Sequence, residues 1–187
     1  MGYAVAEAVL SAGHEVTLIS GPVVVDPPAN ARLISVSTSD EMFDAVHTNL
    51  NDCDVLVMCA AVTDFKPAET SPQKIKKRNA PLTLDLVPTR DILASLPKQD
   101  RQFLVVGFAA ETNDVEKYAR QKLREKSCDM IVANDVSIGM ESDENEVTIL
   151  FASGEQTRIS RASKKIVASE LVKKILESCE KRLTKKL

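Results

Sequence analysis

Apolar and polar positions change period repeatedly along the chain, almost from its first residue. Residues 3–12 are alanine-rich with helical spacing, and Gly13 follows where a C-terminal cap belongs. Residues 15–19 form a short β-branched run that ends before Gly21-Pro22 and Pro27-Pro28, and residues 32–36 read as a second strand. Ser39 is placed to cap a helix whose first turn carries Asp40 and Glu41, acids that suit the positive end of the helix dipole. Residues 55–60 are solidly apolar, which predicts a strand buried on both faces of a parallel sheet. Residues 82–87 alternate and predict a strand nearer an edge. A short helix over 90–96, a strand over 103–108, a charged amphipathic helix over 115–126 and a buried strand over 130–133 follow. Residues 146–150 and 157–160 flank Ser153-Gly154 and predict a hairpin. The last helix covers 164–186, with Ile166, Val167, Leu171, Val172 and Ile175 as apolar positions.

Strand and helix alternating at this spacing predict an α/β fold: a Rossmann-like, doubly wound, mostly parallel sheet with a C-terminal β-hairpin extension and a terminal helix. We expect one domain over residues 1–187. Ligands of such sheets bind beyond the carboxyl ends of the strands. Four loops qualify: Ala60-Ala61-Val62 with Asp64, Pro88 to Leu93, Gly107 to Thr112, and Asn134-Asp135.

Composition narrows the choice of partner. The apolar fraction is 44%, the charged fraction 27% and the net charge -3, so bulk electrostatics give no reason to expect nucleic acid or a membrane surface. No apolar run reaches the length of a membrane span and no signal-peptide pattern opens the chain, so we expect a cytoplasmic protein. Cys53, Cys59, Cys128 and Cys179 show no C-x-x-C spacing and no neighbouring histidine, which argues against zinc. Cys59 reads as a small buried hydrophobe. His14 and His47 lie far in sequence from any nucleophile and read as structural residues.

The chemistry lies in the loops. The run VLVMCAAVTDFKPAETSPQKIKK, residues 55–77, passes from an apolar strand through two alanines to Asp64 and then to Lys74, Lys76 and Lys77. Small residues let a ligand approach the backbone, while an acid and lysines suit a metal-bound polyphosphate. The plain alternative is a buried strand followed by a solvated basic loop, with Asp64 capping a turn. Phe108 could cover a base or sugar, with Gly107 leaving backbone room, or it could be core. Lys122 and Lys126 share one helical face, where two ammonium groups would gain from an anion between them or be solvated surface. A segment as polar as that around Lys74 can order over a polyphosphate and exclude water.

Taken in order, AAVTDF, KIKK, PTRDIL, GFAAET, YARQKLREK and ANDV resemble the phosphopantothenoylcysteine synthetase family, over about residues 1–151. The resemblance implies a CTP-dependent ligase joining 4′-phosphopantothenate to cysteine through an acyl-cytidylate, in coenzyme A biosynthesis. It implies that Met58, Cys59 and Ala60 lie along the nucleotide and that Asp64 contacts it. It also implies that Lys74 stabilises charge in the activation step, and that Arg90, Asp91, Ile92 and Leu93 hold the nucleotide by backbone and side chain. Phe108, Lys122 and Lys126 fall on further nucleotide contacts. CTP and Mg2+ are the implied small-molecule partners, and the metal ligands stay unassigned. A homodimer, formed with help from the hairpin around Ser153, and a flavin-dependent decarboxylase, fused or separate, are the implied protein partners.

The chain opens at Met1-Gly2-Tyr3, where the glycine-rich loop of that family ends. We therefore expect an N-terminally truncated domain, short of an opening strand and of an asparagine that stabilises the intermediate, and weak in stability and activity alone. Two other readings remain at this point. One is an NAD(P)-dependent oxidoreductase, which would need a G-x-G-x-x-G turn that is not found here. The other is a nucleotide-binding module without catalysis.

Overall fold

The computed structural model describes residues 1–77, 81–111, 114–135 and 143–184. Helix α1 (Gly2–Ser11) leads into strand β1 (Thr17–Ser20), which pairs in parallel with β2 (Arg32–Ser35). Helix α2 (Ser39–Thr48) is capped by Thr38 rather than Ser39: the Thr38 hydroxyl accepts the Glu41 N–H while the Glu41 carboxylate accepts the Thr38 N–H. This reciprocal box satisfies two of the otherwise unpaired donors of the first turn, so the cap moves one residue earlier than expected.

The main sheet has five strands, β3 (Val55–Met58), β6 (Leu104–Glu111), β7 (Met130–Asp135), β8 (Glu144–Phe151) and β9 (Gln156–Ser163), in that spatial order. The first three run parallel and the last two antiparallel. Gly154, at φ 93°, turns the chain between β8 and β9 in a conformation that disfavours a Cβ, as the predicted hairpin requires. Between β3 and β6 lie two short strands, β4 (Phe65–Pro67) and β5 (Leu86–Pro88), which form a separate antiparallel ribbon.

Alternation along the strands sorts side chains into two layers. Val106, Met130, Val132, Val147 and Ile149 pack with α1 and with α4 (Lys164–Thr184), through Val5, Val167, Leu171 and Ile175. Val105, Ala109, Ile131, Ala133 and Leu150 pack on the opposite side against α3 (Val115–Glu125), through Ala119 and Leu123. Helix α2 adds a third cluster, in which Met42 and Val46 meet Val36, Ile92 and the half-buried Leu56 and Met58. The result is a helix–sheet–helix sandwich, as the alternating pattern predicts.

Three expectations need correction. Strand β3 is half-buried at every position, not fully buried, because it pairs with β6 on one side only and its other edge meets no strand among the described residues. The strand predicted over 82–87 shrinks to β5, with Leu82 and Leu84 exposed before it, since its sole partner among the described residues is the three-residue β4. The helix predicted over 90–96 is a single turn closed by the Ser95 N–H on the Asp91 carbonyl (3.1 Å) and the Leu96 N–H on the Leu93 carbonyl (3.4 Å). Thr112 and the end of the predicted last helix, beyond residue 184, lie outside the described residues.

Candidate functional site

The carboxyl ends of β3 and β6 are adjacent, with Met58 paired to Gly107, so the residues after β3 and those late in β6 open onto one edge of the sheet. Met58 ends β3 with its side chain against the α2 cluster, half-buried Cys59 follows, and Ala60 is exposed. Burial pushes the Cys59 thiol up to about 12, so it is protonated and apolar in character near neutral pH.

The segment after β5 supplies the next wall. Ile92 is buried among Val36, Met42 and Val46, and Leu93 packs on the α3 side. Two inward side chains thus fix the backbone of this turn from both layers. Asp91 caps it by accepting the Ala94 N–H (2.9 Å). Its other oxygen accepts from Lys126 Nζ at 2.5 Å, directly after α3. Burial pushes the Asp91 carboxyl up, but the hydrogen bonds from Lys126 and Ala94 outweigh it and hold the group below its ordinary value. Lys122, one turn earlier, donates to the Phe108 carbonyl (2.7 Å). Both lysines are half-buried, and the α3 face they share is turned onto the strand ends.

Phe108 is half-buried and its side chain packs on the α1/α4 layer, so the ring belongs in part to the core. Gly107 departs from the expected role. A Cβ there would come 2.7 Å from Ile131 Cδ1, 3.3 Å from Cys128 Sγ and 3.5 Å from Leu93 Cδ1. The room it leaves is filled by core side chains, not kept for a ligand.

Arg90 is already engaged. Its Nε donates to Asp40 Oδ1 (3.1 Å), and its terminal nitrogens donate to Asp44 Oδ1 (2.8 Å) and the Asp40 carbonyl (3.0 Å). Its guanidinium carbon lies 4.0 Å from the centroid of the Phe43 ring. Sequence reading did not find this α2 face. Its residues Asp40, Phe43, Asp44 and His47 follow an i, i+3, i+4, i+7 spacing, the one signal that could have revealed it.

Asp64 is exposed at the foot of the ribbon, where its carbonyl accepts the Thr89 N–H (2.9 Å) one residue before Arg90. Thr89 Oγ1 in turn donates to the Thr63 carbonyl (2.6 Å), and Lys66 pairs with Asp40. The foot of the arm is thereby tied to the Arg90 turn. Lys74 lies farther out, exposed in a stretch without regular strand or helix, and no hydrogen bond or ion pair joins it to the strand ends among the described residues. Met58–Ala60, Arg90–Leu93, Phe108, Lys122 and Lys126 are therefore grouped around the strand ends. Asp64 is tethered beside them and Lys74 is not brought in.

These features define a Rossmann-like α/β domain with two lysines at the carboxyl ends of its parallel strands. Residues 1–179 match the family of the DNA/pantothenate metabolism flavoprotein C-terminal domain, and the chain belongs to that family. It is 43% identical over 182 residues to a coenzyme A biosynthesis bifunctional protein CoaBC of Vibrio vulnificus, covering 94% of this chain and 45% of that protein. The chain thus spans a little under half the length of the curated relatives it matches. The crystal structure of a CoaBC C-terminal domain shares its fold at a TM-score of 0.81 and 36% identity, covering 96% of this chain and 82% of that one. A Cab2 mutant complexed with phosphopantothenate-cysteine shares the fold at a TM-score of 0.66 and 17% identity, covering 84% of this chain and 55% of that one.

Proposed function

We propose that the domain joins 4′-phosphopantothenate to cysteine, with CTP as the activating nucleotide. What carries the reading is the pairing of family membership with half-buried Lys122 and Lys126 at the strand ends. Relatives that are coenzyme A biosynthesis proteins support the pathway, and phosphopantothenate-cysteine, held by the Cab2 neighbour, is the product this reading gives.

The chemistry explains the cations. A carboxylate oxygen is a poor leaving group, so the substrate carboxylate first attacks the α-phosphorus of CTP and pyrophosphate departs. The cysteine amine then attacks the acyl carbonyl, the new C–N bond replaces the acyl C–O bond, and CMP leaves. Negative charge grows on the departing pyrophosphate, where Lys122 and Lys126 would offer fixed positive charge. Lys126 would exchange part of its bond to Asp91 for a phosphate oxygen. Lys74, on the exposed arm, would approach as the arm closes over the triphosphate. Asp64, at the foot of that arm, would contact the nucleotide.

Magnesium would enter as the counter-ion of the triphosphate and draw charge from the leaving group. Among the described residues no three His, Cys, Asp or Glu side chains converge on a metal position. We further propose a homodimer. The hairpin around Ser153 is the contact the resemblance implies, and exposed Phe65 and Leu86 on the ribbon, with Leu84 just before it, offer further apolar surface. A flavin-dependent decarboxylase is the proposed functional partner, in line with bifunctional relatives of about twice this length.

The test is pyrophosphate release from CTP. It should require phosphopantothenate, and amide product should appear only when cysteine is added. Release indifferent to phosphopantothenate, or equal turnover with ATP, would remove the reading or its base preference respectively.

A further inference from the structure

The guanidinium of Arg90 is turned toward α2: each of its nitrogens donates one hydrogen bond to Asp40 or Asp44, and its central carbon lies 4.0 Å from the Phe43 ring centroid. The opposite face of Phe43 is stacked by His47, with centroids 4.1 Å apart and planes inclined by 16°. His47 Nδ1 sits 2.8 Å from the Phe43 carbonyl, and its Nε2 sits 3.1 Å from Ser95 Oγ. Ser95 Oγ donates to the Ile92 carbonyl (2.6 Å). One face of α2 therefore grips the 90–95 turn at both ends, through Arg90 at its start and Ser95 at its close.

We propose that Arg90 is a positioning residue, a latch that locks the turn to α2, and not a nucleotide ligand. The turn's contribution to the nucleotide then comes from its backbone and from Asp91, held at the height of Lys126. This deepens the proposed function and rests on it for the ligand, while the latch itself stands on the contacts above. Each ion pair is exposed, so none is strong alone; three donors on a rigid planar fork plus a stacked ring fix an orientation that one flexible pair would not. A lysine could not reproduce that fork or that stacking, whereas it can replace arginine as a point charge beside a phosphate.

The experiment compares Arg90→Ala, Asp44→Ala, the double variant and Arg90→Lys, reading Kd for Mg-CTP, KM and kcat, and amide hydrogen exchange over residues 91–96. The latch predicts that Arg90→Ala weakens CTP binding and raises its KM by roughly tenfold, and Asp44→Ala by a smaller factor because Asp40 still holds the guanidinium, each with a lesser change in kcat. The double variant should be no worse than the weaker-binding single, Arg90→Lys should not rescue, and the Ser95 amide should exchange faster in all four. An Arg90→Ala loss that persists in full on the Asp44→Ala background, or recovery with lysine, would make the guanidinium a phosphate ligand and overturn the latch. Unaltered exchange at Ser95 would overturn it too. If the unmutated protein binds no CTP, the proposed function falls, and the exchange data alone still decide on the latch.

Discussion

Lys122 donates from α3 to the main-chain carbonyl of Phe108 on β6, across 2.7 Å. A half-buried ammonium is thus held at the strand end by a neutral acceptor, with the Asp91 carboxylate near enough to feel its charge but hydrogen-bonded to Lys126 instead. Lys122→Ala should weaken CTP binding by roughly ten- to a hundredfold, since hydrogen bonds to charged groups are worth about 1.5–3 kcal/mol. Titration calorimetry with CTP and with cytidine separates the phosphate contribution from that of the base. Equal losses for both ligands would take Lys122 away from the phosphates.

Lys74 should behave differently. It lies on the exposed arm, so its charge would reach the site only when the arm closes. Lys74→Gln should therefore slow acyl-cytidylate formation by more than it weakens CTP binding, a fall in kcat with little change in Kd. Single-turnover measurement of pyrophosphate release checks this, and matched losses would make Lys74 a simple anchor.

The outline of the fold was legible in the sequence because hydrophobic period reports burial directly. Val105, Ile131, Val147 and Ile149, each at most 1% exposed, fall in runs readable as strands. What escaped prediction was pairing over a distance. β4 is three residues long and carries a proline, so no local pattern distinguishes it from a loop. The 90–96 segment has helical spacing but stops after one turn, because Ile92 and Leu93 are drawn into different clusters. The i, i+4 spacing of Lys122 and Lys126 put them on one helical face, but it was the family resemblance and not the spacing that set them apart from solvated surface. Arg90's engagement was not legible, since its partners Asp40 and Asp44 lie 50 and 46 residues away.

Gly107→Ala should destabilise the protein by about 1–3 kcal/mol, the usual cost of overpacking. The added methyl would meet Ile131 Cδ1 at 2.7 Å, and Ile131 is fully buried, so its side chain would have to shift within the packed core. Its third neighbour, Leu93 Cδ1, lies at 3.5 Å, an ordinary van der Waals contact, so the 90–95 turn should be undisturbed and CTP binding unchanged. Urea denaturation together with a CTP titration checks both expectations.

Acid should loosen the α2 contacts. The hydrogen bond from Lys66, then that from Arg90, holds the Asp40 carboxyl below its ordinary value, and the hydrogen bond from Arg90 does the same for Asp44. A carboxyl depressed in the folded state adds stability that is fully present above its unfolded pKa, about 3.9, and is lost as pH falls through the lower folded value. Thermal stability of the unmutated protein should hold from pH 7 to about 5 and decline below about pH 4. Asp44→Asn should begin less stable at pH 7 and show a shallower acid decline. Parallel curves for the two proteins would mean that the Arg90 pair carries no proton-linked stability.

Thiol chemistry tests the inner wall of the site without any nucleotide. Burial raises the Cys59 thiol to about 12 and the Cys128 thiol to about 11. Because the thiolate is the nucleophile, a group so raised has about one part in a thousand ionised, or less, at pH 8. The unfolded chain should react at all four cysteines within minutes, whereas the folded protein should leave Cys59 and Cys128 unmodified over the same period. Mass spectrometry after alkylation identifies the sites. Rapid native labelling of Cys59 would place its sulfur in water, and the strand end beside Ala60 would then be more open than its half-buried position implies.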